Sequence, residues 1–397
     1  MTQESMNRCP VCGCAQVLDL MRIEQAPVYC NVLWPDERQA RTAARGALAL
    51  GYCVACAHLF NTVFDPHLTE YTPAYDNSLH YSPLFNQYAE QLAARLIDRY
   101  GLRGKRIVEI GCGKGDFLRL LCAQGNNRGF GFDRSFEPER GRETRPEDVF
   151  FFQDFYDGEY ARRCRPDFIC FRHVLEHIPH PLDFLGALRR SLDERQEVAL
   201  YCEVPNALFT LKGLGIWDLI YEHCAYFSLN SLIAMFSRAG FDVIAGEESF
   251  GGQFIWVEAR PGAGRSEITL AAQQAPALVR PYADAFASQY RANVQAWRER
   301  LTDMKREGRR AVVWGAGSKG VTFLNVLNDH VADIRYVVDL NPHKQGRYVG
   351  GTGQQVVSPE FLLGCPATDV IVMNPLYLDE ITAAVRAMGL DMRVMSV

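Results

Sequence analysis

The sequence has few of the features that mark nucleic-acid-binding and membrane proteins. Its 397 residues carry a net charge of −5, and no basic run supplies the positive surface that a phosphate backbone attracts. No apolar stretch approaches the roughly 20 residues that a membrane-spanning helix needs, and the N-terminus lacks the apolar core of a signal peptide. We therefore expect a cytoplasmic protein with no nucleic-acid partner and no membrane contact.

Composition and length indicate a globular chain with more than one domain. Hydrophobic residues make up 48% of the sequence and charged residues 22%, a balance that can bury substantial cores. At 397 residues the chain is longer than one typical domain, so two or three domains are expected.

The cysteines fall into two groups. Most of the thirteen stand in or beside apolar runs, as buried small residues do. The N-terminal ones instead form two C-x-x-C pairs, Cys9 with Cys12 and Cys53 with Cys56. Four thiolates at this spacing make the closed tetrahedral set of a structural zinc site. Iron is the next alternative and a disulfide pair the last, since a reducing cytosol disfavours disulfides.

The centre of the chain is organised around residues 106–116, RIVEIGCGKGD. An apolar run that contains Glu109 leads into Gly111, Gly113 and Gly115 and then into a helical pattern. This order predicts a strand, a glycine-rich turn and a helix. Glycines permit the sharp turn and the close approach of a ligand, and the helix N-terminus offers N–H donors.

The spacing E-x-G-x-G-x-G resembles the first motif of class I S-adenosylmethionine-dependent methyltransferases, whose acid and glycine loop hold the methionine end of that cofactor. A dinucleotide fingerprint, G-x-G-x-x-G, requires no such acid. Asp133 ends the next apolar run, where the ribose hydroxyls would lie, and Asp154 and Phe155 end the third, suited to the adenine amino group and ring face. The alternative is a doubly wound sheet whose glycines only make turns.

The segments that follow complete an α/β fold with the seven-stranded sheet of class I methyltransferases. Four more strands are predicted, at 167–171, 198–204, 241–245 and 253–259. Ligands of open parallel sheets bind beyond the carboxyl ends of the strands. His173, Glu176 and His177 follow the fourth strand, so we expect them near the transferred methyl group, with His173 also at the cofactor.

Two aromatic segments are candidates for the chemistry. Residues 217–228 carry Glu222 and His223 in an otherwise apolar stretch. A histidine beside a glutamate is a plausible proton acceptor, since histidine titrates nearest neutral pH. Residues 71–83 hold three tyrosines, which are Tyr71, Tyr75 and Tyr81. The alternatives are a buried structural histidine and a packed linker.

The end of the chain predicts a second, smaller nucleotide-binding-like unit. A polar helical pattern at 283–307 indicates a spacer between domains. Residues 310–320 then repeat the strand–turn–helix order with G-x-G-x-x-G, and residues 334–339 and 369–373 supply two more strands. A lone G-x-G-x-x-G is weak evidence for a dinucleotide, so we expect this unit to cradle phosphate or to shape a substrate pocket.

The predicted domains are a zinc-binding module (1–70), an S-adenosylmethionine-binding domain (71–262), a helical linker (263–308) and a Rossmann-like domain (309–397). This order, with the V-L-E-H-I and Y-E-H segments, resembles the sugar C-methyltransferases that act on nucleotide-linked keto-deoxysugars. The resemblance implies C-methylation next to a ketone. A base removes the acidic α-proton, and the enolate takes the methyl group of S-adenosylmethionine.

The resemblance also implies roles for individual residues. Glu222 and His223 stand at the family's catalytic Glu-His pair, with His223 as the base and Glu222 as its orienting partner. Tyr75 or Tyr81 stands where the family has a catalytic tyrosine, and a tyrosine or His177 would hold the enolate oxygen. The chain departs from the sugar enzymes at residues 251–255, where GGQFI replaces the expected G-G-S-x-R-type segment.

Three other functions compete with this interpretation. The nearest is an O- or N-methyltransferase that acts on a small natural product or another metabolite. A zinc-dependent binding protein is disfavoured by the intact glycines and acids, and an NAD-dependent oxidoreductase centred on residues 315–320 lacks a catalytic Ser-Tyr-Lys or His-Asp set. We expect a small-molecule acceptor, such as a nucleotide-linked sugar, and a monomer or weak homodimer.

Overall fold

The computed structural model describes residues 8–69, 75–137, 148–192, 197–265, 268 and 275–397. Strands in these ranges form three sheets, of four, seven and five strands. Tyr71 and residues 72–74 of the tyrosine-rich segment lie outside the described residues. A bilayer-crossing helix is not found in the described ranges, where no helix combines the required length with the required apolar character.

The central sheet contains seven strands. They are β4 (Arg106–Ile110), β5 (Arg128–Phe132), β6 (Val149–Phe152), β7 (Phe168–Arg172), β8 (Ala199–Pro205), β10 (Phe241–Ser249) and β11 (Phe254–Pro261). Their spatial order is β10-β11-β8-β7-β4-β5-β6. Strands β4 to β8 are parallel, and β11 pairs antiparallel with both β8 and β10. The predicted α/β sheet of the class I methyltransferase type is therefore confirmed.

Both faces of the central sheet are covered, because alternate residues of each strand enter different cores. Val108, Ile169 and Leu200 pack in one core, and Ile107 and Phe168 pack in the other. The helices of this region are α2 (Pro83–Tyr100), α3 (Asp116–Gly125), α4 (Gly158–Cys164), α5 (Pro181–Ser191), α6 (Ala207–Lys212) and α7 (Leu229–Arg238).

Helix α2 leads the chain to the first strand of this sheet. Ser82 caps it by accepting a hydrogen bond from the Phe85 N–H at 3.2 Å, and Gly101 ends it in the left-handed conformation at φ +59°. The completely buried Glu258 of β11 accepts from Arg95 at 2.5 Å and from the Tyr100 hydroxyl at 2.6 Å. These charge-assisted bonds fix the helix against the edge hairpin of the sheet.

The N-terminal sheet takes one strand from a distant part of the chain. It contains β1 (Val17–Pro27), β2 (Arg45–Cys53), β3 (Leu59–Asn61) and β9 (Ala225–Tyr226), in that order, with α1 (Glu37–Arg41) between β1 and β2. Strands β1 and β2 contain 11 and 9 residues. A Cβ at Gly46 in β2 would lie 2.3 Å from the Tyr221 ring, so this glycine permits the close approach of the segment before β9.

The C-terminal sheet is entirely parallel. Its strands are β12 (Ala311–Trp314), β13 (Tyr336–Val338), β14 (Gln355–Val357), β15 (Asp369–Val372) and β16 (Arg393–Ser396), in the order β14-β13-β12-β15-β16. Helices α9 (Ser318–Leu327) and α10 (Leu378–Ala387) accompany them. The Rossmann-like prediction is confirmed, with two strands, β14 and β16, that sequence analysis did not identify.

Helix α8 (Ala275–Arg306) is not the spacer that its polar composition indicated. One side chain in every three or four is buried along it, among them Phe286, Val294 and Trp297. These residues share one hydrophobic core with β1, with residues 207–226 and with the C-terminal sheet. The helix is therefore a central packing element. Its polar residues form the solvent face of an amphipathic helix, which is why composition alone was misleading.

Replacing Trp297 with alanine tests this packing role. The Trp297 side chain is 5% exposed and its ring centre lies 5.3 Å from that of Phe323 in α9. Trp297→Ala should lower the free energy of unfolding by about 3–5 kcal/mol. The exposed Gln295→Ala on the same helix should change it by less than about 0.5 kcal/mol. Chemical denaturation measures both, and equal small effects would show that α8 is a spacer after all.

Candidate active site

A first cavity of about 570 Å³ lies at the carboxyl ends of β4, β5, β6 and β7. Seven of the eight residues predicted at the cofactor line this first cavity, and they are Glu109, Gly111, Gly113, Asp133, Asp154, Phe155 and His173. Gly115 does not line it. A Cβ at Gly115, whose φ is +84°, would lie 2.3 Å from the Phe151 ring, so this glycine serves the packing of the turn.

The glycine turn between β4 and α3 is built for close approach of a ligand. Gly111 and Gly113 both have positive φ, of +67° and +54°. A Cβ at Gly111 would lie 2.3 Å from Val174, whereas a Cβ at Gly113 would meet nothing within 4 Å. Side chains at Gly113 would therefore project into open space at the cavity. Its N–H donates to the Asp133 carboxylate at 2.8 Å, which joins the turn to the end of β5.

Glu109 shows whether the first cavity is suited to the methionine end of S-adenosylmethionine. Its carboxyl is 3% exposed, and its Oε2 has no hydrogen-bond partner among the described residues. Burial raises its pKa to about 8, although the Arg172 guanidinium opposes this rise. A buried carboxyl in the wall of the first cavity, with one oxygen unpaired among the described residues, suits an ammonium group, so the residues present fit this cofactor.

The far side of the first cavity is more exposed. The Asp154 carboxylate accepts from the Phe155 N–H at 2.8 Å and from the Tyr160 hydroxyl at 3.1 Å. The Phe155 ring is 67% exposed, and the Arg134 guanidinium carbon lies 5.2 Å from its centre. An exposed aromatic face of this kind can stack on a flat heterocycle such as adenine.

A second cavity of about 280 Å³ lies between the central and C-terminal sheets. Its walls come from the ends of β7 and β8, from residues 218–226 and from the glycine loop that follows β12. The two cavities share a common wall, formed by Tyr75, Asn77, Ser78, Leu79, His173 and His177. A methyl donor in the first cavity and an acceptor in the second would therefore meet at these residues.

Two predicted histidines come together at this common wall. The ring centres of His177 and His223 lie 4.8 Å apart, and their nitrogens and a Glu176 oxygen all lie within 4.8 Å of one another. Burial lowers the pKa of both imidazoles, and repulsion from His177 and His173 when these are protonated lowers the pKa of His223 further. Both rings are therefore neutral at physiological pH and can accept a proton. His177 Nδ1 lies 3.0 Å from the Glu222 carbonyl oxygen, so this nitrogen carries the ring proton.

Glu222 does not take the place that the sequence predicted. Its Oε2 accepts from the Cys30 N–H of the N-terminal module at 2.8 Å, and burial raises its pKa to about 8. The described contacts of the His223 ring are instead with His177 and Tyr226. Among the described contacts none joins the Glu222 carboxyl to the His223 ring, as the predicted orienting role requires. Glu222 lies in a turn in which the His223 N–H donates to the Ile220 carbonyl oxygen at 3.2 Å, so adjacency in the sequence does not bring its carboxyl to the imidazole.

The two described tyrosines of the predicted segment both line the second cavity. The Tyr75 ring centre lies 6.3 Å from that of His177 in an edge-on arrangement. Asn31 donates to the Tyr75 hydroxyl at 3.3 Å and also lines the second cavity. Sequence analysis missed Asn31, because nothing in its local sequence indicates a contact with a residue 44 positions away.

His173 stands where the two cavities meet and has an unusual backbone conformation, with φ +56°. Its Nδ1 lies 3.6 Å from Glu176 and its Nε2 lies 3.5 Å from Glu203. Burial lowers the pKa of His173, but the two carboxylates outweigh burial and raise it above the ordinary value. A non-glycine residue in this strained region is consistent with a functional constraint.

The glycine loop of the C-terminal sheet faces the second cavity. The Ala316 N–H donates to Asp339 at 2.8 Å, as an N–H of the first glycine turn does to Asp133. Lys319 forms an ion pair with Asp218, which lies just before the Glu222–His223 segment. Sequence analysis placed Lys319 only in a glycine motif and gave no role to Asp218. The motif with its lysine was the available signal.

The four predicted metal ligands come together away from both cavities. The sulfurs of Cys9 and Cys56 lie 3.6 Å apart and those of Cys12 and Cys53 3.4 Å apart. All four lie within 4.8 Å of one another. Four sulfurs bound to one zinc ion at 2.3 Å would stand about 3.8 Å apart, so the cluster fits a tetrahedral zinc site.

Comparison with known proteins agrees with this arrangement. Residues 85–245 match the methyltransferase domain family, and residues 267–391 match the C-methyltransferase C-terminal domain family. The chain is 26% identical over 375 residues to the C-methyltransferase NovU of Streptomyces niveus, covering 90% of this chain and 87% of that protein.

Solved structures that are similar to part of this chain include two methyltransferases. The putative methyltransferase in complex with the Trm112 activator of Haloferax volcanii is 15% identical, with 45% of this chain and 98% of that chain covered and a TM-score of 0.33. Magnesium protoporphyrin IX methyltransferase from Synechocystis PCC 6803 with bound SAH is 17% identical, with 45% and 84% covered and a TM-score of 0.33.

The central sheet and the two family matches define an S-adenosylmethionine-dependent methyltransferase. The second match is to a C-methyltransferase domain, and the C-methyltransferase NovU aligns over 90% of this chain. The class can therefore be narrowed from methyltransferases in general to C-methyltransferases. These comparisons support an S-adenosylmethionine-dependent C-methyltransferase.

The raised pKa of Glu109 gives a testable pH dependence of cofactor binding. At pH 6 a carboxyl with a pKa of about 8 is almost wholly neutral, and it must ionise to pair with an ammonium group. The affinity for S-adenosylhomocysteine should therefore increase roughly tenfold or more from pH 6 to pH 8, measured by calorimetry. Glu109→Gln should abolish this dependence, and the exposed Asp148→Asn should retain it. A wild-type affinity that is independent of pH would contradict the assignment.

Proposed function

We propose that the protein methylates a carbon next to the ketone of a nucleotide-linked keto-sugar. His223 acts as the base that removes the α-proton, and the electron pair of the C–H bond moves into the enolate. The observation that carries this proposal is the pair of neutral imidazoles of His177 and His223, placed where the first and second cavities meet. A carbon acid needs such a base because its C–H proton must be removed before methyl transfer. A hydroxyl nucleophile is more acidic and depends less on the base.

The cofactor is proposed to bind in the first cavity. Glu109 would hold its ammonium group, Asp133 the ribose hydroxyls, and Asp154 with Phe155 the adenine, while Gly111 and Gly113 allow close approach. The bound sulfonium supplies an electrophilic methyl group. Holding the cofactor at several points aligns that methyl with the common wall, which reduces the entropic cost of the transfer. Gly115 is proposed only to shape the turn.

The enolate oxygen needs a hydrogen-bond donor. Tyr75 is the proposed donor, because its phenol is 8% exposed, lines the second cavity and stands beside His177. Tyr81 lines the same cavity and is the second candidate. His177 is less suited to this role, since its ring proton is directed to the Glu222 carbonyl oxygen. We assign Glu222 to holding the catalytic segment against Cys30.

The C-terminal glycine loop supports a nucleotide-linked acceptor. The loop residues Gly315, Gly317 and Ser318 line the second cavity at the start of α9, where backbone N–H groups favour an anion. Lys319 adds a cation at the same wall. Gln253, which marks the departure from the sugar enzymes, accepts from Asn374 at 2.9 Å and thus joins the central and C-terminal sheets.

His223→Ala tests the proposed base. General-base catalysis is typically worth 10²–10⁴-fold, so turnover of nucleotide-linked keto-deoxysugars should fall by about that factor. Affinity for S-adenosylhomocysteine should stay within about twofold of wild type, because His223 does not line the first cavity. The exposed His330→Ala is the matched control.

Solvent exchange distinguishes the mechanisms. In heavy water, with S-adenosylhomocysteine in place of the methyl donor, the wild type should introduce deuterium beside the acceptor ketone, and His223→Ala should suppress this. Retained turnover in His223→Ala would make His223 a packing residue. Methyl transfer without any exchange in the wild type would contradict the enolate mechanism.

We also propose that the four-cysteine cluster holds one structural zinc ion. Its four ligands join the N-terminal loop to the end of β2, a module whose core is shared with other parts of the chain. Zinc would supply stability that this small module does not obtain from its own apolar residues. The cluster lines neither cavity, so no catalytic role is assigned to the ion.

Cys53→Ser tests the zinc site. Metal analysis should find about one zinc per wild-type chain and much less in the variant, whose melting temperature should fall. Cys14→Ser is the control, because Cys14 belongs to the same module but not to the cluster. A wild-type protein that is free of metal, stable and active would contradict the proposal.

A further inference from the structure

The Glu176 carboxylate has an unusual environment. It lies in the 3-10 turn Leu175–His177 directly after β7, is 1% exposed and contributes to the wall of the second cavity. Neither of its oxygens has a hydrogen-bond partner among the described residues. His173 Nδ1 lies 3.6 Å from one of them, and a buried carboxylate with so little compensation calls for a functional explanation.

We infer that Glu176, and not Glu222, is the carboxylate that stabilises the protonated form of His223 during catalysis. This inference rests on the proposed function, in which His223 takes the α-proton. A Glu176 oxygen, a His177 nitrogen and a His223 nitrogen all lie within 4.8 Å of one another. When His223 becomes an imidazolium, the opposite charge is already in place, so no reorganisation is required.

Glu222 cannot supply this charge as well. Its Oε2 is bound to the Cys30 N–H, and it does not line the second cavity. Because burial raises its pKa to about 8, it is largely neutral at pH 7. Its contact joins the segment of His223 to the N-terminal module, which is a structural role.

The charges around Glu176 leave it as the available counter-ion. Glu203, the neighbouring buried carboxylate, is paired with Arg172 at 2.9 Å and accepts from the Tyr201 hydroxyl at 2.9 Å. His173 lies 3.6 Å from Glu176 and is shared with Glu203. Without Glu176, protonation of His223 would add an unbalanced charge beside His173 and His177.

Two more titratable groups face Glu176 besides His173, His177 and His223. These are the thiols of Cys202 and Cys224, which stay neutral because burial raises their pKa values. The Cys224 thiol donates to the Glu176 carbonyl oxygen at 3.4 Å and not to its carboxylate. The Glu176 charge raises the pKa values of His173 and His177, and its carboxylate also lies within 4.8 Å of a His223 nitrogen. Glu176 is a positioning and charge-balancing residue that acts through His223.

A matched pair of variants, Glu176→Gln and Glu222→Gln, tests the inference. Imidazole titration by nitrogen NMR in the complex with S-adenosylhomocysteine needs no acceptor. Glu176→Gln should lower the pKa of His223, which lies within 4.8 Å of the carboxylate, as well as the pKa of His177, whereas Glu222→Gln should leave both unchanged. An unchanged His223 pKa in Glu176→Gln would overturn the inference even if no acceptor were known.

Kinetics with a nucleotide-linked keto-deoxysugar complete the test. Glu176→Gln should slow α-proton exchange by about 10²-fold and increase the isotope effect of an α-deuterated acceptor, while Glu176→Asp should restore part of the rate. If the Glu176→Gln variant is slow but its isotope effect is unchanged, Glu176 has a merely structural role and the inference is overturned. Absence of exchange in the wild type would instead contradict the proposed function, and the NMR titration would still decide the role of Glu176.

Discussion

Backbone pairing between β3 and β9 fixes the position of the proposed base. Leu59 and Phe60 pair with Tyr226 and Ala225, so the segment that carries His223 is the edge strand of the N-terminal sheet. That sheet ends at the cysteine cluster, and the Cys30 N–H holds Glu222 from the same side. The geometry of the common wall therefore depends on a module that contributes little of the cofactor cavity. The same module is also anchored to the central sheet, because Val11 and Phe60 pack in one core with Val108 and Ile169.

The three sheets are joined by packing and not merely by linkers. One hydrophobic core runs from β1 through residues 207–226 and α8 to the C-terminal sheet. Close-packed interiors transmit displacement, so the second cavity keeps its shape only while these elements stay together. The ion pair of Lys319 with Asp218 and the bond from Asn374 to Gln253 lie at the same junction. Binding of an acceptor between the sheets would use walls that are already aligned.

Local patterns in the sequence were sufficient for much of the fold. Apolar runs followed by Glu109, Asp133 or Asp154, with glycines in the first turn, predicted three strand ends and the cavity beyond them, because these signals are set within a few residues. The burial of α8, the pairing of β9 with β3 and the contact of Asn31 with Tyr75 depend on tertiary packing between distant residues. The roles of Glu176 and Glu222 escaped sequence reasoning for the same reason. Adjacency to His223 suggested Glu222, whereas the folded chain brings Glu176 to the ring.

The two cavities are lined by different parts of the chain, and this separation affects how the protein can evolve. Described residues of the C-terminal sheet line the second cavity, but none lines the first. Substitutions around Lys319, Leu340 or Tyr377 can therefore change the shape and charge of the proposed acceptor pocket without changing the residues that line the first cavity. The specificity for the acceptor can thus diverge between related enzymes while the proposed methyl-donor cavity stays the same.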